Sequence, residues 1–227
     1  IGSRYARLGL YGTGFNYNGL PGITYKQLEN TKLQWETSKV FDIGLEFAFL
    51  RRFRGEIGYF NRHSTGVLIA QPLSMLTGFT TINTNFAAIR NKGWEFMVEA
   101  TVFSTKDFNW TASANLTTTK NIILKMTKDT LIDPNASSKR WVVGKDRYMW
   151  FLPEWAGVDA ADGRPQWYQD EIVNGQRTGK KITTKSYNAA TRYELGSPLP
   201  KFFGGFNNTF RYKDFDLSIY TYFSVGG

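Results

Sequence analysis

The chain has 227 residues and no cysteine, which excludes disulfides and thiolate metal sites. Its 41% apolar and 16% aromatic content excludes a disordered tail, and no apolar run reaches the roughly 18 residues that a transmembrane helix needs. The net charge of +9 is scattered between apolar positions and forms no basic run, so composition gives no case for nucleic acid as a partner.

Taken in order, the chain opens abruptly on IGSR, as though inside a longer protein. Residues 12–34 follow, a connection carrying Gly12, Gly14, Gly19, Pro21 and Gly22. Period-2 alternation then begins in VFDIGLEFAFL: Phe41, Ile43, Leu45, Phe47 and Phe49 share one face, and Asp42, Gly44 and Glu46 share the other. Arg51 and Arg52 make a tight turn, and Phe53, Gly55, Ile57 and Tyr59 continue the pattern. After a connection at residues 71–83, Trp94, Phe96, Val98, Ala100 and Val102 alternate with polar residues. Lys106 and Asp107 form the next turn, and Phe108, Trp110, Ala112, Ala114 and Leu116 return. Residues 125–146 and 170–197 read as polar loops, and a short helix over residues 132–139 is the best helical candidate. The third unit, FNNTFRYKDFDLSIYTYF, turns at Lys213 and Asp214 and places Phe215, Leu217 and Ile219 on one face.

The repeated unit is strand, tight charged turn, strand. Short connections join antiparallel neighbours, so the tight turns collect at one end of an up-and-down sheet and the long loops at the other. Alternation alone fits a soluble β-sandwich equally well, whose inner face is apolar. Three features favour a transmembrane β-barrel: strands longer than the usual five or six residues, aromatics gathered beside the turns, and a Gly, Asn, Ser, Thr and Glu face suited to a wet lumen. Met97, Phe60 and Phe103 fall on the polar face and break the pattern, and Phe203 sits beside Phe202.

Four segments carry a family resemblance. NTKLQWETSKVFDIGLEF (30–47), TGFTTINTNFAAIRNKGWEF (77–96), WAGVDAADGRPQWY (155–168) and LGSPLPKFFGGFNNTFRYKDFDLSIY (195–220) resemble, in order and spacing, segments of SusC/RagA-type TonB-dependent outer-membrane transporters. Thr31 stands where that family has Pro, and Phe86-Ala87 replaces its Gly. The resemblance implies an all-β, antiparallel up-and-down transmembrane barrel of about 22 strands, of which this chain would supply about six or seven. Residues 1–227 would all belong to that barrel domain, with the plug and the terminal strand outside the chain. It further implies a bacterial outer-membrane location among lipid and lipopolysaccharide, a SusD-like lipoprotein partner, TonB coupling through the plug, and a dimer of transporter–lipoprotein pairs. The implied activity is energised import of an oligosaccharide or a peptide. A passive porin or structural barrel and a soluble glycan-binding module are the alternatives.

On this reading the lipid-facing residues are Phe41, Ile43, Leu45, Phe47, Trp94, Phe96, Val98, Trp110, Leu116, Phe215, Leu217 and Ile219. Arg51, Arg52, Lys106, Asp107, Lys213 and Asp214 occupy periplasmic turns. Trp141, Trp150, Trp155, Trp167 and Tyr168 are the candidate ligand or lid contacts, because aromatic rings stack on sugar C–H faces. Lys128, Lys139, Arg140, Lys145, Lys180, Lys181 and Lys185 lie in the same outward loops and are candidates for contact with anionic headgroups. No catalytic residue, cofactor or metal is expected. His63 is the single histidine, Glu95 and Glu99 share a face without a visible partner, and Asp159–Asp162 reads as an Asp-Gly turn rather than a calcium loop.

Overall fold

The computed structural model describes residues 5–133 and 136–227. Its centre is a six-stranded antiparallel sheet built from β3 (Thr37–Phe49), β4 (Phe53–Pro72), β5 (Thr81–Ser104), β6 (Phe108–Lys125), β14 (Phe202–Tyr212) and β15 (Phe215–Val225). These six are the long alternating segments of the sequence, and each is paired with its predicted hairpin partner. The sheet runs in the order β15-β14-β6-β5-β4-β3, so everything between β6 and β14 is one excursion, residues 126–201, rather than separate loops between barrel hairpins.

Within that excursion lie β7 (Thr130–Ile132), β8 (Arg140–Val142), β9 (Trp150–Pro153), β10 (Trp155–Val158), β11 (Pro165–Val173), β12 (Gln176–Thr184) and β13 (Arg192–Gly196). Ahead of the sheet, β1 (Leu10–Tyr17) and β2 (Leu20–Gln27) form a hairpin where a long connection is expected from the glycine content. The missed signal is Asn-Gly. Asn18 and Gly19 both take positive φ, 48° and 80°, as do Asn174 and Gly175 between β11 and β12, at 52° and 78°. Both central residues of a type I′ hairpin turn need that conformation. The expected helix over residues 132–139 is not found in its described part, which holds the end of β7 and a turn. Pro134 and Asn135 lie outside the described residues. Met75–Thr77, a 3-10 turn between β4 and β5, is the one helical element among the described residues.

The tight turns do gather at one end. The Thr101 amide donates to Arg52 O at 2.8 Å, and the Lys213 amide donates to Asp107 O at 2.9 Å, so the three turns form one hydrogen-bonded rim. Leu50 and Arg51 sit at φ 53° and 51°, a conformation that side chains other than Gly, Asn and Asp rarely adopt.

Register settles which residues share a face. Leu45, Ile57, Phe96, Leu116, Gly204 and Phe223 form one continuous cross-strand row. The next row toward the turns is Phe47, Gly55, Val98, Ala114, Phe206 and Thr221. The opposite face carries Glu46, Glu56, Met97, Asn115, Gly205 and Tyr222. Phe103 does not stay on the polar face as its parity predicts. The ladder slips between Thr101 and Phe103, leaving Val102 as a bulge and setting Phe103 opposite Trp110 on the apolar face. Its ring then lies 6.0 Å from Phe108. Phe60 remains on the polar face for a different reason: its ring covers the bare backbone of Gly93, the residue opposite. A Cβ at Gly93 would reach Phe60 Cζ at 2.7 Å and would collide with Thr118 O.

Gly204 and Gly205 are constrained in the same way. A Cβ on Gly204 would strike Asn115 O, and one on Gly205 would strike the Tyr220 ring. Gly93→Ala should therefore reduce the folded, protease-resistant fraction of the protein. Gly58→Ala should be tolerated, since a Cβ there meets nothing nearer than 3.9 Å. Equal behaviour of the two variants would contradict the packing described.

Candidate functional site in the loop-end excursion

At the loop end the polar face of the sheet changes character. Val67, Ile69, Ala87, Ile89 and Ile123 are buried there, and Met126, Leu131 and Trp141 of the excursion close over them. Ile123 is 1% exposed. The excursion is also stapled by polar groups. Asn121 Nδ2 donates to Asn91 Oδ1 at 2.6 Å, and the Arg147 amide donates to Asn121 Oδ1 at 2.9 Å. Ile123 exchanges backbone bonds with Lys145 O at 2.9 Å and the Gly144 amide at 2.8 Å. Thus β6 runs on past its pairing with β14 and anchors the start of the excursion.

The segment before β3 is tied down at the same level. Asn30 Nδ2 donates to Asn83 O at 2.8 Å, and Asn85 brackets Gln34 by accepting from its amide and donating to its carbonyl, each at 2.7 Å. Glu36 Oε1 accepts the Leu68 amide at 2.8 Å, beside a register shift in β4 that frees that donor from the ladder.

The five aromatic candidates all fall in the excursion, but in different settings. Trp141 is 4% exposed, with the Arg147 guanidinium 5.2 Å from its ring, so its packing in the core removes it from the ligand contacts. Trp150 lies under Lys139 Nζ at 5.1 Å. Trp155 and Trp167 meet edge to face at 6.0 Å across β10 and β11, and Tyr187 adds a second edge contact to Trp167 at 5.4 Å. Trp155 is 56% exposed and is the most open member of this group. Tyr168 occupies the other face of β11, where Lys181 Nζ stands 5.3 Å from its ring and 4.2 Å from that of Tyr193. Tyr187 and Tyr193 have no distinguishing sequence pattern; they are recruited by folding.

Several charges in the excursion are paired. Lys181 binds Glu154, and that hydrogen bond raises the ammonium pKa. Arg140 lies 3.6 Å from Glu194, and Arg177 lies 3.0 Å from Asp170, which accepts the Tyr193 hydroxyl at 2.6 Å. Burial and that hydrogen bond to Asp170 both raise the Tyr193 pKa. Lys185 Nζ reaches Asp159 at 2.6 Å and Asp162 at 2.8 Å. Its hydrogen bond, followed by one from the Ala161 amide, holds the Asp159 carboxyl below its ordinary value. In VDAADG the carboxylates thus hold a lysine and close an Asp-Gly turn.

Of the residues considered for acid–base work, Glu99 accepts Arg54 at 2.7 Å. Glu95 faces Gly58 and Thr117, and His63 sits between Lys39 and Arg90, where no carboxylate orients it.

The comparisons agree with this architecture. Residues 5–226 match the family model described as TonB dependent receptor-like, beta-barrel. The chain belongs to that family. It is 30% identical over 213 residues to TonB-dependent receptor P26 of Formosa agariphila, covering 88% of this chain and 21% of that protein. It is 34% identical over 135 residues to TonB-dependent receptor SusC of Bacteroides thetaiotaomicron, covering 56% of this chain and 14% of SusC. Among solved structures, the RagAB peptide transporter matches 98% of this chain and 25% of its own, with a TM-score of 0.76 at 26% identity. The match therefore spans between 14% and 25% of the length of these relatives. The SusC/RagA-like barrel architecture expected from the motifs is the one found.

The site makes two testable statements. Trp141→Ala should destabilise the excursion by about 3–5 kcal/mol, as for other buried Trp truncations, whereas Trp155→Ala should leave folding unchanged; hydrogen exchange across residues 126–150 reads the difference. The Asp159–Lys185 link behaves as a lowered carboxylate pKa requires. Its contribution is complete above the unfolded carboxylate pKa and is lost as pH falls through the lower folded value. Lys185→Gln should raise exchange of the Ala161 amide at neutral pH to the level that wild type reaches only in acid, after correction for intrinsic rates.

Proposed function

We propose that this chain is part of the barrel of an outer-membrane importer of the SusC/RagA type. Such a carrier takes up an oligosaccharide or a peptide captured with a SusD-like lipoprotein, and TonB acting on the plug drives it. The observation that carries the reading is the two-faced sheet with a turn rim at one end and a folded excursion at the other, in a chain of this family.

In this reading the rows from Phe41, Ile43, Leu45 and Phe47 through Trp94, Phe96, Val98, Trp110 and Leu116 to Phe215, Leu217 and Ile219 face lipid. Arg51, Arg52, Lys106, Asp107, Lys213 and Asp214 lie in the periplasm. The apolar rows are flanked by aromatics at both heights. Tyr59 and Trp94 lie 5.0 Å apart toward the loops; Phe49 and Phe53, 4.9 Å apart, and Trp110 and Phe210, 5.6 Å apart, lie toward the turns. Amphipathic and aromatic rings favour those two levels in a bilayer. The excursion and the β1–β2 hairpin then stand outside the membrane, where Trp150, Trp155, Trp167 and Tyr168 can meet ligand or lipoprotein. Transport needs no covalent step, so a catalytic centre has no part in it. RagAB is a peptide transporter, or peptide importer, which keeps peptides beside oligosaccharides as the cargo class.

Orientation is tested by a pair of substitutions in the full-length protein. Val98→Arg should impair membrane assembly, because a charge near mid-membrane on the lipid face costs about 2–4 kcal/mol. Thr111→Arg, on the opposite face, should assemble. Equal assembly of both would reject the orientation. Uptake of labelled oligosaccharide or peptide should cease when the membrane is de-energised; unchanged uptake would favour a passive pore.

A further inference from the structure

Just beyond the loop-side aromatics, the apolar face turns basic. The row after Ile43, Tyr59, Trp94 and Thr118 is Phe41, Asn61, Lys92 and Lys120, and the next is Lys39, His63, Arg90 and Ile122. Four permanent cations thus share one patch on one face, Lys39 from β3, Arg90 and Lys92 from β5 and Lys120 from β6. Neighbouring strands lie roughly 5 Å apart and successive same-face rows roughly 7 Å apart. Like charges directly opposite, as at Lys92 and Lys120, destabilise a sheet unless something neutralises them.

Nothing within the described residues does so. None of Lys39, Arg90, Lys92 and Lys120 forms an ion pair there, and the same two rows hold no acidic residue. Arg90 Nε and Asn61 Oδ1 are enclosed and have no hydrogen-bond partner among the described residues. Three excursion lysines differ. Lys139 sits over Tyr148 and Trp150, and Lys181 and Lys185 are ion-paired. The strand-face cluster is thus without a counter-charge, whereas these three excursion lysines are engaged.

We propose that this patch binds the phosphorylated headgroup of an outer-leaflet glycolipid of the lipopolysaccharide type. The proposal rests on the lipid-facing assignment above. Given that assignment, the acyl chains lie along the apolar rows, the Tyr59–Trp94 pair marks the interface, and the cations sit at headgroup height. Arginine and lysine there supply charge-assisted donors to phosphate oxygens, and the anion relieves the repulsion among them.

The test uses the full-length transporter in detergent, with native mass spectrometry reading bound lipid. The probes are purified lipopolysaccharide, the same material enzymatically dephosphorylated, and phosphatidylglycerol. Wild type should retain the phosphorylated glycolipid and lose most binding to the dephosphorylated form. Neutralising Lys39, Arg90, Lys92 and Lys120 to Gln should weaken binding about fivefold per residue. The charge-conserving set Lys39→Arg, Arg90→Lys, Lys92→Arg and Lys120→Arg should retain it, which separates lost charge from lost folding. Equal binding of both lipopolysaccharide forms, equal binding by the neutral variant, or tighter binding of phosphatidylglycerol would overturn the proposal. If Val98→Arg and Thr111→Arg still differ as expected, such a result rejects the lipid site alone. If they do not differ, the orientation itself has failed.

Discussion

The features of this protein depend on one antiparallel ladder that runs across six strands, its register broken only by local shifts in β4–β5 and β5–β6. Backbone donors and acceptors inside an apolar layer must be met by neighbouring strands, since no water is available to them. Once each pair is in register, side-chain direction is no longer free, because a one-residue slip would exchange the two faces. The rows from Leu45 to Phe223 and from Glu46 to Tyr222 are two consequences of the same ladder. The exception at Val102 confirms its role: one extra residue is absorbed as a bulge, and Phe103 changes face beside the turn rim.

Such a ladder requires close approach, and the glycines of the family-like motifs are where it occurs. Gly93 lies beneath the Phe60 ring and against Thr118 O; Gly204 and Gly205 lie against Asn115 O and the Tyr220 ring. An aromatic covering an opposing glycine supplies the packing that glycine lacks, and glycine supplies the room. These motif positions are thus explained by backbone geometry and not by ligand chemistry. Asn30, Glu36, Asn85, Asn91 and Asn121 have a similar explanation. Each satisfies backbone or amide groups where the ladder ends and irregular segments begin.

Height along the strands then divides the molecule by function. In the middle, one face is apolar and the other polar. At the loop end the polar face becomes the apolar seat of the excursion, while the apolar face becomes basic. The two faces exchange character where the surroundings would change from hydrocarbon to headgroups and water. The excursion has its own hairpins and ion pairs, so it presents a folded surface at the loop end of the sheet rather than a set of slack loops. A rigid display of this kind suits recognition, because less ordering entropy is lost on binding.

The sequence by itself determined the strand class, the three hairpins and the composition of their faces, because a period of two leaves a residue-level trace wherever the two sides of a sheet meet different surroundings. It also carried the family likeness, since the glycines and asparagines at ladder ends admit few substitutes. The tertiary structure alone decided the rest. Parity placed Phe103 on the wrong face, because a bulge is invisible to counting. Glycine content suggested a loose connection where Asn18-Gly19 closes a hairpin, since the turn dipeptide was outweighed by its neighbours. Trp141 read as a surface aromatic like Trp155, because burial depends on Ile123 and Val67, which are distant in sequence. The basic patch was illegible for the same reason: Lys39, Arg90, Lys92 and Lys120 come together only through the register of four strands.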